Sequence, residues 1–334
     1  MKRKWLWLAG PWAAFIVLAV GWIAYWNIVA GAAEQRIRAA IDEQQSRGAN
    51  VSVGRIVRRG FPVMLRFELH DATYGPARGG WEAATARADL HLNILNPQHA
   101  TFKAEAPIAL TRAGGDVTKI SADTLIGTLR MDGRRLASAG IEADNLELDD
   151  PTEDGVLRVR KLVLSVRPDA RAAGQYQVAF DAQALTLPRA VRSFEAFGQD
   201  VPLLRAAIVI EEAAALMAPS PGDPLAPWRA ANGRLRFEAL ELNWGPLEAT
   251  GQGHGGLDAE RRLQGSLTLP IDRPGPVFSA IANGPNVDED TRRGLGLLAT
   301  AFAFTGDDIT LDVDANNGVL RLEGVGVRTL PPVY

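Results

Sequence analysis

Cysteine is absent from the 334-residue chain. That excludes a disulfide scaffold, a thiolate zinc site, a cysteine nucleophile and a lipidated-cysteine anchor. Lysine is scarce: Lys2, Lys4, Lys103, Lys119 and Lys161 are five of 36 basic residues, and the rest are arginine. The formal net charge is −3, so there is no basic surplus to hold a phosphate backbone and no nucleic-acid partner is expected. The four histidines show no ligand spacing, and G-x-S-x-G, H-E-x-x-H and P-loop patterns are missing. No catalytic residue, cofactor or metal site is therefore expected. What the chain has in quantity is apolar: 47% of residues are hydrophobic, at a length that supports a large core.

The apolar residues are unevenly spread. From Trp5 to Ala33 there is no charged residue, a run of 29, and about 20 apolar residues suffice to cross a bilayer as a helix. Trp5 and Trp7 stand at one end, and Trp22, Tyr25 and Trp26 at the other, as interface aromatics do. Lys2, Arg3 and Lys4 precede the run, which predicts a cytoplasmic N-terminus with the rest of the chain outside. Ala30-Gly31-Ala32 resembles the cleavage site of a signal peptide, the rival reading. An ordinary signal core has only roughly 7–15 apolar residues, so a retained anchor is expected. Without residues 1–33 the chain carries 33 basic and 39 acidic residues, a net of −6.

Residues 34–50 read as a helical stalk, with Ile37, Ala40, Ile41 and Gln44 on one face and Gly48 as a stop. From Val51 the period becomes two. Val63, Leu65, Phe67 and Leu69 alternate with Met64, Arg66, Glu68 and His70. Ala84, Ala86, Ala88, Leu90, Leu92 and Ile94 alternate with Thr85, Arg87, Asp89, His91 and Asn93, and Asn96-Pro97 turns the chain. Such alternation marks half-buried antiparallel strands. It recurs at 100–104, 117–131, 136–148, 156–167, 175–187 and 204–213, then at 232–244, 246–257 and 262–270, and finally at 308–314 and 318–327. Helices are expected at about 277–282 and 288–304. The prediction is a mainly β protein, built as a long curved antiparallel sheet or a two-layer β-groove. Its expected domains are a first β region at 51–217, a proline-rich loop at 218–227 and a second β region at 228–334.

Several motifs have a bland and a sharp reading. Gly251-Gln252-Gly253-His254-Gly255-Gly256 satisfies G-x-G-x-x-G, but a dinucleotide fingerprint needs a helix to follow. Here another strand follows, so a strand end and turn is expected. Asp312, Asp314, Asn316 and Glu323 have the count of a calcium loop, yet the turn glycine is displaced and the flanks alternate as strands. A hairpin about Asn316-Asn317-Gly318 is the simpler reading. His91 and His99 flank the Asn96-Pro97 turn, while His70 and His254 are remote, and solvent-facing histidines are expected. Asp149-Asp150 and Asp307-Asp308 fall at turns, where aspartate has backbone reasons to be. Trp81 and Trp244 read as core residues or, more sharply, as walls of an apolar ligand site together with Leu90 and Leu92.

One set of short signatures carries a resemblance. It begins with Gly60-Phe61-Pro62, Gly80-Trp81 and Asn96-Pro97. It continues with Trp228, Asn232-Gly233-Arg234-Leu235-Arg236-Phe237 and Leu242-Asn243-Trp244-Gly245-Pro246-Leu247. Gly253, Leu257-Asp258, Gly265-Ser266-Leu267-Thr268-Leu269 and Leu330-Pro331-Pro332 complete it. In this order and spacing the chain resembles the DUF2125 family of alphaproteobacterial envelope proteins. That family has no assigned activity, so the resemblance implies a membrane-anchored periplasmic protein and no catalytic residues. A looser, architectural likeness is to AsmA-like envelope proteins, in which a β-groove handles lipid.

The expected function is that of a non-enzymatic protein of the inner membrane, its bulk in the periplasm, whose partners are the bilayer and an apolar or lipid ligand. Two alternatives stand beside it. One is an assembly factor docking another envelope protein by edge strands or by the 218–227 loop. The other is a periplasmic hydrolase without a recognisable motif.

Overall fold

The structure is a computed structural model that describes residues 2–77, 79–93, 98–133, 135–189, 192–217, 223–271, 274–284, 287, 289–305 and 309–333. Side chains are described from Phe15 onward, except those at 192–194, 217, 303–305 and 309. Trp5, Trp7 and Trp12, the Asn96-Pro97 turn, residues 218–222 of the proline-rich loop, Asp288 and Asp307-Asp308 thus lie outside the described side chains or residues.

Helix α1 (Lys2–Ser46) joins the apolar run and the predicted stalk into one element. At 1.5 Å per residue its 45 residues extend about 68 Å. It ends where expected, with the Gly48 amide donating to Gln45 O at 2.8 Å and Ala49 to Gln44 O at 3.0 Å. Among the described residues seventeen antiparallel strands follow, in one long sheet. The chain divides into two compact units: Met1–Ile120 with Thr128–Gly133, and Ser121–Gly127 with Arg134–Tyr334.

In the first unit, β1 (Asn50–Arg59) and β2 (Met64–Gly75) form a hairpin in register from Asn50 opposite Gly75 to Arg59 opposite Arg66. β3 (Trp81–Asn93) pairs with β2 along nearly its full length. Its other edge is shared. β4 (His99–Ala104) takes Ala88 to Leu92, and β5 (Ile108–Arg112) takes Trp81 to Thr85. β6 (Val117–Ser121) pairs with β5. The predicted alternation holds: Leu65 and Phe67 are buried, and Trp26 and Ala30 of α1 are buried against them. Val29, Ala33, Ile37, Ile56, Leu69, Leu90 and Leu92 surround this core.

Two predicted segments are broken. The stretch 117–131 becomes β6 and β7 (Thr124–Asp132), and 318–327 becomes β16 (Val319–Leu322) and β17 (Val325–Thr329). At the second break Glu323 turns back to β15 (Ile309–Asn316): its amide donates to Asp312 O at 3.0 Å, and its carboxylate accepts the Asp312 amide at 2.7 Å. The sequence pattern gives no expectation of β5.

The second unit meanders from β8 (Arg135–Asp149) through β9 (Val156–Pro168), β10 (Tyr176–Thr186) and β11 (Asp200–Ile210). It goes on through β12 (Leu235–Trp244), β13 (Leu247–Leu257) and β14 (Leu263–Ile271) to β15, each strand paired with the one before. The strands on either side of 218–227, β11 and β12, are direct neighbours. Between them the structure has α2 (Ala226–Ala230), which starts within the last two residues of the expected loop and runs into the expected second β region. Two longer helices, α3 (Pro274–Ala282) and α4 (Glu289–Thr305), interrupt the meander after β14. They close a core in which Phe278, Ile281 and Leu295 meet Ala249, Ile271, Leu311 and Leu322 of the sheet.

Candidate functional site

Strand β3 organises the first unit's chemistry, because its two faces have opposite character. Its even-numbered residues Leu90 and Leu92 lie with Leu65 and Phe67 under α1. On the other face, charged side chains form a lattice. Register sets Glu68 opposite Asp89 and Asp89 opposite Lys103. Asp89 is fully buried, with Arg66 Nη2 at 2.5 Å and Arg87 Nε at 3.9 Å from its oxygens. Glu68 is ringed by Arg59 and Arg87 at 3.5 Å and by Arg66 and His70 at 3.8 Å. Lys103 hydrogen-bonds Glu105 and holds that carboxyl below its ordinary range. Each carboxylate therefore faces cations. Acid–base catalysis by two carboxylates needs the opposite, a pair that pushes its two proton affinities apart. The lattice is an ion-pair network that spans β1, β2 and β3.

Trp81 is odd-numbered, and the register of β3 with β2 runs unshifted from Asn93 to Ala83. Trp81 is thus formally on the opposite face from Leu90 and Leu92. It is 41% exposed and stacks at a tilt on Tyr74, with ring centroids 5.7 Å apart. It walls an open cavity of about 680 Å³ with Gly80, Leu110, Ala113 and Asp116. Arg112 also lines the cavity and donates to Thr118 Oγ1 at 3.1 Å. Of the four residues proposed as an apolar wall, Leu90 and Leu92 stand together under the helix, and Trp81 stands apart at the cavity. Trp244 belongs to the second unit. Its ring meets Phe197 edge-on at 5.1 Å, and its indole donates to Gly198 O at 3.1 Å.

The second unit has its own cavity of about 580 Å³. Arg234, His254, Gly255, Gln264, Ser266 and Arg321 are among its lining residues. The G-x-G-x-x-G run is here, inside β13 rather than at a strand end. Its backbone approaches β14 closely: a Cβ on Gly253 would fall 2.1 Å from Ser266 O. The glycines allow two strands to touch and leave no phosphate loop. The other signatures have similar packing reasons. Trp228 is buried, donates to Glu211 O at 2.8 Å, and lies over Gly233, where a Cβ would meet its indole nitrogen at 2.2 Å. Asp258 accepts both the amide and Nε of Arg262 at 2.8 Å, and though burial opposes it, these bonds hold its carboxyl below the ordinary range.

His91 lies opposite Thr101, not His99, and among the described residues no three His, Asp or Glu side chains gather as a metal site. What the sequence did not reveal is the seat of α1. The Trp26 indole donates to Met64 O at 3.2 Å and that of Trp22 to Pro62 O at 2.9 Å. Higher on the helix, Glu34 takes a 2.5 Å ion pair from Arg58 of β1 and a 2.8 Å one from Arg38. The hydrogen bonds from Arg38 and Arg58 keep the Glu34 carboxyl below its ordinary range. Trp22, Tyr25 and Trp26 had been read as lipid-interface aromatics. The buried Trp26 and the Trp22 hydrogen bond make those two sheet-docking residues, a role that only the packing reveals, while Tyr25 is exposed and packs on Trp22.

These features define a class: a mainly β protein carrying one N-terminal helix long and apolar enough to cross a membrane. Within that class, the chain belongs to DUF2125, a family described as an uncharacterized protein conserved in bacteria, whose model matches residues 26–331. The match begins at Trp26, where helix and sheet meet. No curated protein and no solved structure matched the chain.

Proposed function

We propose that this is a single-pass inner-membrane protein of the bacterial envelope, with its β body in the periplasm, that holds an apolar or lipid ligand without chemical turnover. The observation that carries the reading is Trp81: a large aromatic, 41% exposed, on the wall of a cavity of about 680 Å³ in the same unit as the membrane-length helix. That volume is in the range of small-molecule sites, which are mostly apolar with a few polar groups. Leu110 and Ala113 supply the apolar lining, and Arg112 and Asp116 supply a polar rim suited to an amphiphile. Orientation follows from Lys2, Arg3 and Lys4 before the span. The architectural analogy to AsmA-like envelope proteins points the same way.

The test is native mass spectrometry of the full chain released from detergent micelles. A retained lipid adduct is expected, and Trp81→Arg should lose it without a change in melting temperature. A chain that is always empty, or a Trp81→Arg variant that keeps its adduct, refutes ligand binding at this cavity. A phosphatase reporter fused at the C-terminus should be active only outside the cytoplasm; activity confined to the cytosol refutes the placement.

A further inference from the structure

The turn between β1 and β2 is apolar and uncovered. Phe61 is 51% exposed, Val63 69% and Met64 49%. Exposed apolar residues of this size next to one another call for a partner. Their position in the unit identifies it. From Asn50 to Arg59, β1 descends beside α1, its start tied to the helix by Gln45 Nε2 donating to Val51 O at 2.6 Å. Ten extended residues cover about 34 Å, and the helix from Trp22 to Ser46 covers about 36 Å. The turn therefore arrives level with Trp22, as the Trp22 bond to Pro62 O requires.

We infer that the Phe61–Met64 turn enters the outer leaflet of the bilayer beside α1 and forms a second membrane contact. This rests on the anchoring read above. A core of about 30 Å takes about 20 helical residues. Counted from the first uncharged position, Trp5, it reaches Ala24. Trp22, and with it Pro62, then lies at or just inside the hydrocarbon boundary.

Part of the turn's backbone is already satisfied for such a place. Backbone polar groups must be satisfied internally where water is missing. Here the Pro62 and Met64 carbonyls accept the two helix indoles, the Gly60 carbonyl accepts the Met64 amide at 2.9 Å, and Pro62 has no N–H to satisfy. The Phe61 ring stands edge-on to Trp26 at 5.5 Å and remains half open to its surroundings. Behind the turn, on the side away from the hydrocarbon, Arg58 and Arg59 on β1 and Arg66 on β2 form an arginine collar, each paired with a carboxylate of Glu34, Glu68 or Asp89 yet partly exposed. An apolar tip under an arginine collar has the order of layers found in an outer leaflet, acyl chains below and phosphates above. The occupant is therefore lipid.

The absence of cysteine makes the test clean. Single variants Val63→Cys, Ile16→Cys within the span, and Ser52→Cys at the far end of β1 are labelled with an environment-sensitive fluorophore. Each full-length chain is reconstituted in phosphatidylethanolamine–phosphatidylglycerol vesicles containing lipids with nitroxides at both a shallow and a deep acyl carbon, so that the quencher reaches the boundary and the bilayer centre alike. The Val63 probe is expected to emit blue-shifted and to lose most of its intensity to the quencher, while the Ser52 probe stays bright. Met64→Cys repeats the measurement should Val63→Cys fail to fold. An Ile16 probe that is quenched beside a bright Val63 probe overturns the turn insertion and leaves the anchor standing. An Ile16 probe that stays bright overturns both. Disulfide-linked dimers through Val63→Cys in the vesicles would show a second copy covering the turn and would also overturn the inference.

Discussion

The two compact units solve the same problem in different ways. Each has an antiparallel sheet with an apolar face, and each lays a helix over that face. In the second unit the cover is local. α3 buries Val277, Phe278, Ile281 and Ala282, and α4 adds Leu295 and Ala299. In the first unit the cover is α1; among its described side chains Trp26 and Ala30 are buried on the sheet, while Phe15, Ile16, Val17, Leu18 and Ile28 are exposed. A helix apolar all round needs a second apolar surrounding. The second unit therefore closes its own core, while the first is covered by a helix long and apolar enough to cross a membrane.

This contrast can be broken at its strongest point. Phe278 is fully buried and stacks on Phe302 at 5.5 Å. Phe278→Ala should destabilise the second unit by about 3–5 kcal/mol. Hydrogen exchange on the full chain should show the loss in β13 to β15 and leave β1 to β3 protected. Loss of protection in β1 to β3 as well would mean that the units do not close separately. Next in size, Arg66→Ala leaves Asp89 buried beside the more distant Arg87, at an expected destabilisation of about 3 kcal/mol, the lower end for a broken buried pair. Adding Asp89→Asn should recover part of this; a double variant no better than the single would place the effect in lost arginine packing. Gly253→Ala should cost about 1–3 kcal/mol by overpacking, since β13 and β14 must part to admit a methyl group. It should be visible as faster exchange confined to those strands.

The smallest effect concerns the clasp at Glu34. Its carboxyl is depressed below 4.5 by hydrogen bonds from Arg38 and then Arg58, so its stabilisation is complete above 4.5 and fades as the pH falls through the lower folded value. Glu34→Gln should remove about 0.5 kcal/mol at neutral pH, the scale of a solvent-screened pair. It should also flatten the acid limb of β1 proteolysis. An unchanged acid limb would assign the docking to Trp26 and Ala30 alone.

Much of this fold was legible. The period of two in 63–70 and 84–93 places Leu65, Phe67 and Leu90 on one face and Arg66, Glu68 and Asp89 on the other, as the strands do. The helix stop at Gly48, the hairpin around Asn317 and the strand nature of the glycine run follow from local chemistry too. The candidate site was less legible. Alternation already separates Trp81 from Leu90 and Leu92 by parity, a count that grouping them by apolar character overlooks. β5 escaped because Ile108 to Arg112 is a short strand between turns, recognisable only by its pairing with Trp81 to Thr85. The division into units falls near residues 120–134, where composition does not change, because it depends on which strands find partners.

By itself the sequence determined what depends on near neighbours along the chain: an uncharged run long enough for a bilayer, the alternation that makes strands, and the glycines and asparagines that turn them. The tertiary structure alone decided what those surfaces meet. It set Trp26 on Phe67, opened a cavity beside Trp81 and brought the Phe61–Met64 turn level with Trp22. The reason is physical: periodicity states which face of an element is apolar, whereas its partner is chosen by chain connectivity and by which polar groups can be satisfied when the faces close.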